Sequence, residues 1–269
     1  MTRLLLGKPV AEQIYAEIEK RSATTLKLAT VGLTSPDWQQ YVGSLVRSGQ
    51  KHGIAVENVV ASNDVSAQDF YALVGAVCAR TDVSGVLLQQ PLPRQLQHAK
   101  SALDSRKDLD CLSPLSVANL YLGDDGITPA TPTAVINLLD YYGIDLAGKN
   151  VVIIGRSNAV GKPLALMMLR RNATVTVCHT KTVGLQDVCR RADIIVSACG
   201  SPRLVTRDFV TERSVVVDVG LSFVDGKTCG DVDEEVQNIA AAVSPVPGGV
   251  GPVTVATLFQ NLYKATQTK

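Results

Sequence analysis

The hydrophobic pattern of this chain falls into two series. In each series, segments with helical spacing of the apolar residues alternate with short, continuous apolar runs. In the first series, apolar side chains recur every three or four residues in the segments that we predict as helices: 9–21, 37–52 and 67–79. The apolar runs between them are predicted as strands: 25–32, 55–61 and 85–88. Strands that alternate with helices favour a parallel sheet.

A second series of the same kind follows residues 103–126, which show no regular pattern and are predicted to be irregular. The predicted helices are 132–142, 162–171, 185–191 and 253–264. The predicted strands are 150–154, 174–178, 193–198 and 214–219. The chain is therefore expected to be an α/β protein with two lobes, and its length of 269 residues also favours two domains.

Composition narrows the class of protein. The chain has 46% hydrophobic residues and 19% charged residues. Its net charge of +1 creates no overall electrostatic field that would favour nucleic acid or a membrane as a partner. No apolar run reaches the ~18 residues that span a membrane, and the first apolar run is too short for a signal peptide, so we expect a cytoplasmic protein. The six cysteines and three histidines show no metal-ligand spacing, so no metal site is predicted.

A glycine-containing turn joins the strand 150–154 to the next predicted helix. Backbone N–H groups and the positive end of a helix dipole favour a phosphate at such a turn. The predicted cofactor residues here are Gly155, Arg156, Ser157, Val160 and Gly161. The spacing differs from the G-x-G-x-x-G fingerprint, so an ordinary strand-to-helix turn is the alternative interpretation.

The residues after the next strand favour NADP over NAD as the cofactor. An NAD site usually places a carboxylate there for the ribose 2′-hydroxyl, whereas this chain has Thr180 and Lys181. A hydroxyl and a cation, with Arg156 nearby, suit a 2′-phosphate; NAD is the alternative.

Later strand ends are expected to border the nicotinamide, because ligands bind at the carboxyl ends of strands in open α/β sheets. The residues concerned are Cys199, Gly200 and Gly220. The segment 245–252 combines three prolines with three glycines and suits a rigid wall against a planar ligand.

Seven segments, in order, resemble the bifunctional methylenetetrahydrofolate dehydrogenase/cyclohydrolase family. They are Tyr41-Val42, GVLLQQPLP at 85–93, KDLD at 107–110, PATPT at 129–133, GRSNAVGKP at 155–163, ATVTVCHTKT at 173–182 and SPVPGGVGPVT at 244–254. The resemblance implies a folate domain, which we place at 1–127 plus 253–269, and a Rossmann-like NAD(P)-binding domain at 128–252. It also implies a last helix that returns to the first domain, a folate site between the lobes and a homodimer.

The resemblance also implies an activity and its site residues. The family oxidises 5,10-methylenetetrahydrofolate to the 5,10-methenyl form and hydrolyses that to 10-formyltetrahydrofolate. Tyr41 would stack near the pterin, Gln89 would support the catalytic centre, and Asp110 would bind the pterin through paired hydrogen bonds. The wall residues Pro247, Gly248, Gly249 and Pro252 would also contact the folate.

The chain departs from the family pattern at Leu45, where the family has a lysine four residues after the tyrosine. Leucine cannot move a proton, and no other cation of this predicted helix shares the face of Tyr41. Hydride transfer depends mainly on positioning, whereas hydrolysis needs acid–base chemistry. We therefore expect the dehydrogenase to survive better than the cyclohydrolase.

Milder departures are Cys111, which replaces a glycine, and Ala130 and Ala134. Two alternatives remain open: a dehydrogenase of another reduced pterin one-carbon carrier, and a non-catalytic paralogue that binds a dinucleotide.

Overall fold

The computed structural model describes residues 2–21, 26–124, 126–224 and 226–267. They form two compact units, each built on its own parallel sheet. The three-stranded unit comprises Ile14–Ala130 and Leu258–Lys269, and the six-stranded unit comprises Met1–Gln13 and Thr131–Thr257. Among the described residues, no helix is both long enough and apolar enough to cross a membrane.

In the three-stranded unit, three parallel strands lie in the order β3-β2-β4. Its elements are β2 (Lys27–Leu33), α2 (Pro36–Lys51), β3 (Ala55–Ala61), α3 (Ala67–Ala79), β4 (Gly85–Leu88) and α4 (Pro114–Leu122). The central strand β2 is almost wholly buried and pairs from Lys27↔Ala55 to Leu33↔Ala61 on one side. A core that includes Val31, Phe70, Val74 and Leu88 lies between the sheet and α3.

In the six-stranded unit, the strands follow the order β1-β11-β8-β7-β5-β6, all parallel. The strands are β1 (Arg3–Leu4), β5 (Asn150–Ile154), β6 (Thr174–Cys178), β7 (Ile194–Ser197), β8 (Val215–Asp218) and β11 (Ala242–Val243). The helices α5 (Ala130–Tyr141), α6 (Gly161–Arg170) and α7 (Leu185–Arg190) alternate with them, and β9 (Ser222–Val224) and β10 (Lys227–Cys229) form a separate antiparallel pair.

Three of the described helices have residues in both units, among them α5, which begins at Ala130 of the three-stranded unit. The first, α1 (Gly7–Arg21), begins in the six-stranded unit, and the last, α8 (Val250–Gln267), ends in the three-stranded unit. The predicted return of the last helix to the first domain is thus observed. Residues 1–13 were expected in the folate domain at 1–127 but belong to the six-stranded unit. The reason is that Arg3 and Leu4 pair in parallel with Ala242 and Val243.

The segment 103–126, predicted to be irregular, contains the helix α4, so that prediction was wrong. Ser113 caps the helix by accepting a hydrogen bond from the Ser116 N–H at 3.2 Å, Pro114 occupies its first turn, and Gly123 ends it with φ of +85°. The two-residue strands β1 and β11 and the pair β9–β10 were also not predicted, because they are too short to show a period. Thr25 of the predicted strand 25–32 lies outside the described residues.

Candidate functional site

The turn after β5 depends on two glycines that admit close backbone approach. Gly155 has φ of +124°, and a Cβ built there would lie 2.3 Å from the Ala198 carbonyl oxygen. A Cβ on Gly161, the first residue of α6, would lie 2.1 Å from the Gly155 carbonyl oxygen. The Ser157 Oγ accepts a hydrogen bond from the Val160 N–H at 3.1 Å. These contacts fix a compact strand-to-helix turn, the geometry that presents backbone N–H groups to a phosphate.

A cavity of about 540 Å³ opens at the carboxyl ends of β5, β6 and β7. Its volume lies in the usual range for small-molecule sites. Five predicted cofactor residues line it: Gly155, Arg156, Ser157, Thr180 and Cys199. The apolar side chains Leu185 and Leu204 form another part of the wall. Among the described residues that line the cavity there is no Asp or Glu.

The remaining predicted cofactor residues are not among those that line this cavity. Lys181 is exposed and follows Thr180, Gly200 follows Cys199 with φ of +65°, and Val160 precedes Gly161 at the start of α6. Gly220 is buried against Asp231, whose Cγ would lie 2.1 Å from a Cβ at that position.

His179, which was not among the predicted cofactor residues, also lines the cavity. Its ring Nδ1 accepts a hydrogen bond from the Lys181 backbone N–H at 3.1 Å, and the His179 backbone N–H donates to the Thr182 Oγ1 at 2.9 Å. The ring therefore holds the turn that carries Thr180 and Lys181. Its position directly after β6 was the available signal. The described residues contain no group of three or more His, Cys, Asp or Glu side chains able to hold a metal ion.

In the three-stranded unit, Gln89 is held at the ends of β2 and β4. Its Oε1 accepts a hydrogen bond from the Leu33 N–H at 2.6 Å, and its Nε2 donates to the Ser35 Oγ at 3.3 Å. Ser35 is also the N-cap of α2, because its Oγ accepts from the Trp38 N–H at 3.3 Å. The Gln89 side chain thus links the strand ends to the helix that carries Tyr41.

Tyr41 lies beside Trp38 on α2, with ring centroids 5.9 Å apart. Burial raises the pKa of Tyr41, and the negative charge of Asp110 raises it further, so the phenol stays protonated at neutral pH. Trp38 was not singled out from the sequence. Its indole is buried near the Gln89 side chain, since both would crowd a Cβ on Gly32. The helical spacing of three residues from Tyr41 was the signal that could have found it.

Asp110 ends the KDLD segment, and its Oδ1 accepts a hydrogen bond from the Ala130 N–H at 2.9 Å. Burial raises its pKa to about 7, and the charge of Asp108 contributes to the rise, whereas the Ala130 N–H opposes it. Buried Asn261 of α8 fixes both flanks of this site by donating to the carbonyls of Leu109 at 3.0 Å and Thr128 at 2.7 Å.

The proline- and glycine-rich segment belongs to the six-stranded unit. The Gly248 carbonyl accepts a hydrogen bond from the Gly7 N–H at 2.8 Å, and the Gly249 N–H donates to the Pro245 carbonyl at 2.7 Å. A Cβ on Gly7 would lie 1.8 Å from the Gly249 carbonyl oxygen, so the two backbones pack closely. Pro247, Gly248 and Pro252 are exposed, and Gly249 is buried.

Two domain models of one family match successive parts of the chain. Residues 5–110 match the family model described as the catalytic domain of tetrahydrofolate dehydrogenase/cyclohydrolase, and residues 129–269 match the NAD(P)-binding domain of the same family. The chain belongs to the tetrahydrofolate dehydrogenase/cyclohydrolase family. The resemblance predicted from the seven segments is confirmed, and so is the two-domain α/β fold with a Rossmann-like domain.

Relatives within the tetrahydrofolate dehydrogenase/cyclohydrolase family are similar over their whole length. A bifunctional FolD protein of Thermus thermophilus is 41% identical over 98% of this chain and 95% of its own. The crystal structure of the bifunctional FolD enzyme of Campylobacter jejuni, 37% identical, has a TM-score of 0.94 and covers 99% of both chains. A Trypanosoma brucei FolD structure, complexed with NADP cofactor and inhibitor, is 31% identical with a TM-score of 0.92 and covers 100% of this chain and 99% of its own.

Leu45 occupies the position at which the family resemblance implies a lysine. Its side chain is fully buried, on the face of α2 that also buries Trp38, Val42 and Gly49. Ser48, one turn further along, shares a hydrogen bond of 2.8 Å with the Tyr15 hydroxyl. Position 45 is therefore part of the hydrocarbon core in this member of the tetrahydrofolate dehydrogenase/cyclohydrolase family.

Proposed function

We propose that the chain oxidises 5,10-methylenetetrahydrofolate to 5,10-methenyltetrahydrofolate with NADP⁺, and that it hydrolyses the methenyl product weakly or not at all. The observation that carries the second half is the fully buried hydrocarbon of Leu45 one helical turn after Tyr41. The first half rests on the two separate sites described above.

The cavity of the six-stranded unit fits a dinucleotide. The Gly155–Gly161 turn would hold the pyrophosphate, and Val160 and Gly161 would begin the helix whose dipole favours it. Arg156, Thr180 and Lys181 would meet the 2′-phosphate, which a lining without carboxylates accommodates. Cys199, Gly200 and Gly220 would border the nicotinamide. When bound, NADP⁺ supplies the hydride acceptor.

The three-stranded unit offers groups suited to a reduced pterin. Asp110 in its ionised form can accept paired hydrogen bonds from an amino-pyrimidine edge. Tyr41 offers an aromatic face, and Gln89 is fixed by its hydrogen bonds to Leu33 and Ser35. Pro247, Gly248, Gly249 and Pro252 are proposed to contact the folate as well, as the family resemblance implies. Such groups orient a substrate, which is the main requirement of hydride transfer.

Hydrolysis of the methenyl bridge makes a different demand. It needs an activated water and a group that moves protons, which typically contributes about 10²–10⁴ in rate. Leu45 provides neither, the pKa of Tyr41 is raised, and the Ser48 hydroxyl is engaged with Tyr15. The expected product is therefore the methenyl compound.

Separate assays of the two half-reactions test this proposal. The purified chain is mixed with methylenetetrahydrofolate and NADP⁺ to follow NADPH, and with methenyltetrahydrofolate to follow its loss against buffer. We expect NADPH formation and a hydrolysis rate close to that of buffer. Rapid hydrolysis would overturn the second half. Binding of both ligands without turnover would favour a non-catalytic paralogue, and NADP⁺ binding without folate binding would favour another one-carbon carrier.

We further propose a homodimer located in the cytoplasm. The apolar side chains of Leu221 and Phe223, 64% and 55% exposed at and beside β9, support a protein interface. Light scattering after gel filtration should give twice the mass of the chain, and cell fractionation should place it in the soluble fraction. A monomer mass or recovery with membranes would contradict these two statements.

A further inference from the structure

One oxygen of Asp231 accepts hydrogen bonds from four donors on a single short stretch of chain. Asp231 lies just after β10 and is fully buried. Its Oδ2 accepts from the Cys199 N–H at 2.9 Å, the Ser197 hydroxyl at 3.0 Å, the Gly200 N–H at 3.3 Å and the Cys199 thiol at 3.3 Å. All four donors belong to residues 197–200, where β7 ends and the next loop begins.

Burial of this carboxylate is electrostatically costly. Its Oδ1 has no hydrogen-bond partner among the residues that the structure describes. A second buried carboxylate, Asp218, lies next to it and accepts from the backbone N–H groups of Asp231 at 3.0 Å and Val232 at 2.9 Å. Burial raises the pKa of Asp218 to about 6, and the charge of Asp231 contributes. Packing alone does not explain two neighbouring buried carboxylates, since apolar residues would fill the same space at a lower free-energy cost of burial.

Two glycines make room for the pair. A Cβ on Gly220 would lie 2.1 Å from the Asp231 Cγ, and a Cβ on Gly230 would lie 1.9 Å from the Asp218 Oδ2. Any other residue at either position would push a carboxylate aside. The glycines at 220 and 230 therefore accommodate the Asp231 and Asp218 side chains, respectively.

The stretch that Asp231 holds is a wall of the cofactor cavity. Ala198 and Cys199 line that cavity. The Ala198 carbonyl approaches the Gly155 backbone closely enough that a Cβ at 155 would lie 2.3 Å from it. Displacement of residues 198–200 would therefore change the separation between this wall and the glycine turn.

We propose that Asp231 is a positioning residue, which fixes the backbone of Ala198–Gly200 so that the cavity has the width and the peptide orientation that NADP⁺ requires. The inference rests on the proposed dehydrogenase function. Charge-assisted hydrogen bonds are roughly twice as strong as neutral ones, so an uncharged isostere would hold the wall less firmly.

The test replaces the charge while keeping the shape. Asp231→Asn should raise the KM for NADP⁺ and the Kd for NADPH roughly tenfold, with the folate KM changed less than about twofold, and amide hydrogen exchange at Cys199 and Gly200 should become faster. The matched control is Asp233→Asn, which removes a carboxylate two residues away whose contact is the Glu235 N–H. This control should leave all four quantities unchanged.

Further measurements separate this inference from its alternatives. A lower melting temperature of Asp231→Asn with unchanged NADPH affinity would overturn the inference and leave only a role in stability. If that variant does not fold, Ser197→Ala removes one donor and should raise the NADPH Kd about threefold, and an unchanged Kd would again overturn it. Failure of the wild-type chain to bind NADPH would instead refute the proposed function.

Discussion

The carboxylate of Asp110 accepts a hydrogen bond from the Ala130 N–H at 2.9 Å, yet its pKa lies at about 7. Burial disfavours the ionised form, and the nearby charge of Asp108 adds to that effect, so the single backbone donor is outweighed. Asp110 therefore changes its charge within the neutral range, although a typical aspartate is fully ionised there.

The first prediction concerns the pH dependence of the dehydrogenase. Only ionised Asp110 can accept two hydrogen bonds from a pterin edge, so kcat/KM for methylenetetrahydrofolate should rise with pH and level off above about pH 7. Below that value it should fall by up to about tenfold per pH unit. Initial rates across the neutral range measure this profile. Asp110→Asn should reduce kcat/KM at pH 8 at least tenfold and abolish the ionisation; a wild-type profile that is flat from pH 6 to pH 8 would contradict the assignment.

The same titration has a consequence for stability. The pKa of Asp110 is higher in the folded chain than the ~3.9 of an unfolded aspartate, so the folded state binds more protons between about pH 4 and pH 7. Its contribution to the free energy of unfolding is therefore present at low pH and lost as pH rises through 7. Relative to wild type, Asp110→Asn should gain stability at pH 8 and show little gain at pH 4, as measured by urea unfolding at both values.

A second prediction follows from the burial of Leu45. Leu45→Lys restores an amine one turn after Tyr41, and we expect methenyltetrahydrofolate hydrolysis to increase at least tenfold. Because the position is fully buried, the variant should also lose about 2–4 kcal/mol of unfolding free energy. Hydrolysis assays and urea unfolding measure the two effects.

Leu45→Met is the matched control for that variant, since it keeps an apolar side chain of similar volume. It should retain dehydrogenase activity and gain no hydrolysis. If the lysine variant folds and gains no hydrolysis, neighbouring changes have also disabled the step, and buried Trp38 beside Tyr41 is the first residue to examine.

The sequence predicted the parts of this protein that depend on local patterns. The bounds of β3, β5, β6 and α3 were predicted to the residue, because each is a regular run between clear breaks. The contacts that hold the site could not be predicted from the sequence. Gln89 and Ser35 are 54 residues apart, and Asn261 reaches the Leu109 carbonyl across 152 residues. Such pairs are created by the fold and leave no periodic pattern in the sequence. The two-residue strands that place residues 1–13 in the six-stranded unit are also too short to leave one.

A third prediction concerns the choice between NADP and NAD. Arg156 lines the cavity, and we expect it to pair with the 2′-phosphate that NADP alone carries. Arg156→Ala should lower kcat/KM for NADP⁺ about tenfold or more while changing that for NAD⁺ less than about threefold. Exposed Arg207, which is not among the residues lining the cavity, offers the control Arg207→Ala, and it should leave both values unchanged. Equal losses for both cofactors from Arg156→Ala would remove the 2′-phosphate argument.

The last prediction concerns Cys111, which follows Asp110 with φ of +56° and a side chain only 4% exposed. The left-handed region costs an L-residue roughly 1–2 kcal/mol, whereas glycine adopts it freely. Alanine usually stabilises a chain relative to glycine, because it restricts the unfolded state, but here the sign should reverse.

We therefore expect Cys111→Gly to be more stable than Cys111→Ala by about 1 kcal/mol in urea unfolding. The two variants remove the same thiol, so their difference isolates the backbone effect from the loss of a buried side chain. Ala72→Gly on the exposed face of α3 serves as the ordinary case and should lose about 1 kcal/mol. If alanine proves the more stable replacement at 111, the backbone there does not hold the left-handed conformation in solution, and the geometry of the turn after Asp110 differs from that described.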